Sequence, residues 1–141
     1  MELLLDISEN YLKQYIINQI NNFFPDGNPV VDDDAFSESF LKSLLRLEYC
    51  FKHISVRGYS IIDENGNKRP FFQHTNSDQY CQFLWFFSNT LWSLYPNKKD
   101  VCDKIILLNK ALHSCWYTYK IKLPDIFLFV HPVGSVIGHA T

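Results

Sequence analysis

One stretch constrains this chain more than any other: Tyr80–Tyr95, "YCQFLWFFSNTLWSLY". Read at helical spacing, Tyr80, Phe83, Phe87, Leu91 and Leu94 form a stripe, and Leu84, Trp85, Phe86 and Trp92 widen it. A helix that is apolar on nearly all sides has to be enclosed by other elements or lie at an oligomer interface. The rest of the chain therefore has to supply the enclosure. At 141 residues, 47% of them hydrophobic and 16% aromatic, it is long enough and apolar enough to do so as one domain-sized body. The central helix starts near "TNSDQY", with Asn76 or Ser77 as its cap, and stops at Pro96-Asn97.

Three further helices follow from spacing. In "SENYLKQYIINQINNFF", Leu12, Ile16, Ile20 and Phe23 recur on one face behind a Ser8 cap, and Pro25, Gly27 and Pro29 end the run. The second begins after Asp32–Asp34, whose carboxylates suit the positive end of a helix dipole. Its stripe is Phe40, Leu44, Leu47, Phe51 and Ile54, with Leu41 and Leu45 predicted to broaden it. The last is "DVCDKIILLNKALHSC", with Val101, Ile105, Leu108 and Leu112 on one face and Asp100 near its start. Between residues 58 and 73, Asn65-Gly66 separates two short apolar segments, the signature of a tight hairpin. After Cys115 the pattern becomes extended: "WYTYKIKL" alternates, Pro124 interrupts, and "DIFLFV" is rich in strand formers. The expected class is mainly α, with four helices, a small hairpin and a strand-rich tail.

Net charge is −2, which gives no electrostatic case for nucleic acid or an anionic membrane. The charge is uneven, with eight acids against Lys13 in residues 1–40 and twelve Lys/Arg against seven acids afterwards. An acidic arm against a basic body and ordinary solvated helix surfaces both account for this. Cys50, Cys81, Cys102 and Cys115 form no C-x-x-C, and three of them sit among apolar helix neighbours. Together with an N-terminus too acidic and short for a targeting segment, they predict reduced thiols and a cytoplasmic location. No glycine-rich phosphate loop is present. His131 and His139 lack an acid or cysteine at a supporting ligand spacing, so no metal is expected.

The final residues, "HPVGSVIGHAT" over 131–141, carry a resemblance. His131 first, Gly134 fourth, the pair Val136-Ile137 and then Gly138 are similar in register to the H-A-T-G-I-V-V-G-E-T-A stretch of bacterial serine acetyltransferases. More closely, the chain resembles the branch associated with surface-polysaccharide loci, where an aromatic-rich helical domain leads into H-P-V-G. About 20 residues carry the motif, and the helical-then-β-helix order extends over the whole chain. The resemblance implies a helical domain over 1–118 and the first strands of a left-handed β-helix over 119–141. It implies a hexapeptide-repeat acyltransferase of cysteine biosynthesis, with acetyl-CoA as co-substrate and serine or a similar small hydroxyl compound as acceptor.

On this resemblance His131 is the base that takes the acceptor's hydroxyl proton, a role suited to an imidazole near neutral pH. Read without the family, His131 caps the end of a buried segment before Pro132. Asp78 is the candidate substrate-binding carboxylate of the helical domain; it also reads as an ordinary acid in a helix's first turn. Two positions depart from the family pattern. Val130 stands where an Asp usually precedes the His, and no acid lies about one coil upstream to orient the imidazole. The family binds CoA with later coils, so this chain is expected to be a fragment, inactive alone. The alternative is a helical module for homo-oligomer assembly or partner docking, to which the family's helical domain also contributes.

Overall fold

The computed structural model describes residues 1–138, so His139, Ala140 and Thr141 of the motif lie outside the described residues. Four helices dominate it: α1 (Glu9–Phe23), α2 (Asp34–Lys52), α3 (Ser77–Leu94) and α4 (Lys99–His113). The caps follow the sequence logic. Ser8, Asp33 and Asn76 each accept a backbone N–H in the first turn of α1, α2 and α3, replacing partners that the helix itself cannot supply. No helix among the described residues is long and apolar enough to cross a membrane.

α3 is the enclosed spine. From Tyr80 to Leu91 every residue but Asn89 is buried. Phe83 and Phe87 meet α2 edge-on, with ring centroids 5.9 Å from Phe40 to Phe83 and 4.9 Å from Phe36 to Phe87. The opposite side of α3 packs on α4, and α1 also reaches α4. The aromatic surplus of α3 is thus consumed inside this one chain. Some expected core positions point outward instead. Phe23, the last residue of α1, is 50% exposed; on α2 Leu41 and Leu45 are each 46% exposed, because its packed face is already filled by Phe36, Phe40, Leu44, Leu47 and Phe51.

The hairpin forms from β2 (Ser60–Ile62) and β3 (Lys68–Phe72), antiparallel, with Ile62 opposite Lys68. Its turn is longer than a two-residue one. The Asp63 N–H donates to the Asn67 carbonyl at 2.9 Å, the Asp63 carboxylate accepts from the Asn65 and Asn67 amides, and Gly66 takes φ +82°. The N-terminal β1 (Leu4–Leu5) adds to β3 in parallel. Asp6 then fastens this edge by accepting from the His74 N–H and ring Nδ1.

The tail departs from the extended reading. Among the described residues of the tail, the strands are β4 (Trp116–Tyr117) and β5 (Val136–Ile137); they pair in parallel, and "DIFLFV" forms none. The reason lies in α3. Polar side chains of α3 take carbonyls along the tail, that of Phe127 in "DIFLFV" among them. Trp85 Nε1 donates to the Thr118 carbonyl, Asn89 Nδ2 to those of Tyr119 and Ile121, and Gln82 Nε2 to that of Phe127. Phe127 also sets its ring against Trp85 and Phe86. The tail is therefore wound onto the spine by side-chain hydrogen bonds, which satisfy backbone groups as a ladder would.

Candidate functional site

Asp78 and His131, 53 residues apart in sequence, are brought together. Asp78 is the second residue of α3, where a carboxylate is favoured by the helix's positive end. Its Oδ2 accepts the His131 backbone N–H at 3.2 Å and lies 3.9 Å from His131 Nδ1. The second distance is an approach without a hydrogen bond. Asp78 Oδ1 accepts no hydrogen bond among the described residues. The Asp78 side chain is 18% exposed while that of His131 is 89% exposed, so a held carboxylate faces a free imidazole.

Two left-handed residues shape the junction. His131 has φ +47°, and Ser114, which caps the C-terminal end of α4, has φ +52°. Both conformations are uncommon for residues with a Cβ. They are held by the Asp78 bond at His131 and by the Gly134 N–H donating to the Ser114 carbonyl at 2.7 Å. The turn Pro132–Ser135 closes on itself through the Ser135 N–H to the Pro132 carbonyl, with Gly134 supplying φ +81° at its third position. Between these pieces lies a pocket of about 170 Å³, bounded by Asp78, His113, Ser114, His131 and Val133.

His113 is the site residue that sequence reading missed. It is buried in the last turn of α4, four residues after Asn109. Asn109 Nδ2 donates to the Cys81 carbonyl, which turns its Oδ1 toward His113 Nδ1 at 2.6 Å. Nδ1 is therefore the protonated nitrogen of a neutral ring, leaving Nε2 with a lone pair. Burial pushes the His113 pKa below the usual imidazole value of 6.5, with Asp78 acting weakly in the other direction. The sign follows directly. Between the folded pKa and 6.5 the unfolded chain binds a proton that the folded chain refuses, so stability is full above 6.5 and falls as pH drops through that window. Urea midpoints measured from pH 7 to 5 should fall in the wild type, and His113→Gln should flatten that fall.

The other sequence-predicted features sit elsewhere. Asp125, six residues before His131 in sequence, lines a groove with Arg46 near the other end of α3 and not the Asp78 pocket. The four cysteines are free and buried, with Cys81 and Cys115 in contact at 3.4 Å between their sulfurs. Among the described residues no three His, Cys, Asp or Glu side chains cluster as metal ligands, and His139 lies outside those residues. The pocket's size suits only a small molecule. Comparison with protein-family models, curated proteins and solved structures found no match to this chain.

Proposed function

We propose that this chain carries the acceptor half of a CoA-dependent O-acetyltransferase similar to the serine acetyltransferases. The observation that carries the reading is the convergence of Asp78 and His131, 53 residues apart in sequence, on one small pocket. In this reading the acceptor's ammonium rests on the free Oδ1 of Asp78. His131 takes the hydroxyl proton as that oxygen becomes the nucleophile. Neutral His113 offers its Nε2 as an acceptor on the pocket wall. Acetyl-CoA would bring the acyl group from outside this pocket.

The parallel pairing of β4 and β5 supports the β-helix part of the proposal. Trp116 faces Val136 and Tyr117 faces Ile137, an offset of twenty residues. A return beside the same strand in the same direction, after roughly three six-residue faces, is what a first β-helix coil would require. Two bonds close the coil, Trp116 N–H to Ser135 carbonyl and Thr118 N–H to Ile137 carbonyl.

The experiment is an NMR titration of this chain with L-serine, using L-alanine as the reference lacking the hydroxyl. Saturable shifts are expected at the His131 and His113 rings and the Gly134 amide, larger with serine. No response there would overturn the reading and leave the helical domain as a homo-oligomer assembly module. The one observation on that module's side is the outward stripe Leu41, Leu45 and Tyr49 along α2. A solution mass of a single chain would then discard that second reading as well.

A further inference from the structure

A cavity larger than the one at Asp78 lies elsewhere in the molecule. It is a groove of about 700 Å³ between the C-terminal halves of α2 and α3 and the segment 119–125. Its floor holds Arg46, a half-buried cation on α2. Arg46 Nη1 donates to Asn89 Oδ1 at 2.8 Å and Thr90 Oγ1 at 2.9 Å, and the guanidinium carbon lies 4.7 Å from the centre of the Phe86 ring. Asn89 is itself pinned by the Tyr119 and Ile121 carbonyls, so the arginine's orientation is set by a hydrogen-bonded chain. Its Nε and Nη2 make no hydrogen bond, and no carboxylate lies within 4 Å, among the described residues.

A guanidinium taken partly out of water without a carboxylate costs stability, and burial accordingly lowers the Arg46 pKa, with Asp125 opposing from a distance. A fixed fork with one edge committed and the other free is the geometry that receives an oxyanion in two parallel bonds. Lys120 and Lys122 line the same groove and are exposed. Lys42 also lines it, but Glu38 holds it at 3.0 Å. Asp125 is the one carboxylate on the wall, so cations exceed acids there. Leu45, Leu94, Leu123 and Trp92 add apolar surface to the wall, and the Lys120 ammonium lies 5.0 Å from the centre of the Trp92 ring. A volume of this size suits a small molecule.

We propose that this groove binds a small organic phosphate, its phosphoryl oxygens on the free edge of Arg46 flanked by Lys120 and Lys122, and its organic part against Trp92 and Leu123. The site is independent of the Asp78–His131 pocket, and either can fail without the other. Isothermal titration of the chain with ADP and with glucose 6-phosphate, against inorganic phosphate as reference, tests it. At least one of the two organic phosphates should bind saturably at one site and about tenfold more tightly than inorganic phosphate. Lys120→Glu and Lys122→Glu should each weaken that binding by about tenfold, with unchanged thermal unfolding because both side chains are exposed. Arg46→Lys keeps the charge without the fork and should weaken it by about as much or more. Absence of saturable binding by both organic phosphates, parity with inorganic phosphate, or indifference to the lysine reversals would each overturn the proposal.

Discussion

On the proposed function, replacing His131 by alanine is expected to lower acetyl transfer by the full-length protein about 10²–10⁴-fold, the usual loss when a positioned general base is removed. The protein should lose little stability. The side chain is 89% exposed, and the bond that anchors this point of the tail runs from the backbone N–H, which alanine retains. The expected signature is a fall in kcat with unchanged unfolding. His131→Asn sharpens the test, since asparagine tolerates the positive φ at this position better than alanine does but cannot act as the base. Asp78→Asn should act differently. It keeps an oxygen for the His131 amide and removes the charge offered to the acceptor's ammonium, so the larger change should be in KM for the acceptor. If His131→Ala left turnover intact, the base would have to be sought elsewhere.

Phe83→Ala is the largest stability effect expected, about 3–5 kcal/mol in urea or thermal unfolding. Phe83 is fully enclosed on α3 and touches three other aromatic rings, Phe40 from α2, Phe72 from β3 and Phe87 one turn along. It is therefore the point at which helix, helix and hairpin share one contact. Truncation opens a cavity whose walls belong to three elements, none free to collapse without disturbing the others. Leu41→Ala is the matched contrast. That residue was expected in the core but faces outward, and its loss should change stability by about 0.5 kcal/mol or less.

Leu41 shows where the sequence was legible and where it was not. Helix existence and starts were readable because periodicity and capping are local: Ser8 and Asn76 cap as their positions suggest. The face of α2 was drawn too wide because spacing marks a stripe but not how many partners arrive to cover it. The hairpin at Asn65-Gly66 was visible, whereas the parallel strand Leu4–Leu5 was not, since its partner lies more than sixty residues away. "DIFLFV" has strand propensity, and propensity lost to tertiary context: the Gln82 side chain takes the Phe127 carbonyl and the Phe127 ring packs on Trp85 and Phe86.

The sites divide in the same way. Asp78 and His131 were found through the resemblance, and their meeting is a long-range fact that no local pattern contains. His113 carried a faint signal, an i, i+4 spacing from Asn109 at a helix end, which is commonplace. Arg46 carried none. Its significance depends on Asn89, Thr90 and the segment after Tyr119 fixing one edge of the guanidinium and leaving the other open.

The most direct measurement of the proposed function is thiol release from acetyl-CoA by the full-length protein, with and without L-serine, alongside its His131→Ala variant. The account predicts release that depends on serine or a similar hydroxyl amino acid and is lost in the variant. Release indifferent to the acceptor, or equal in wild type and variant, would contradict it.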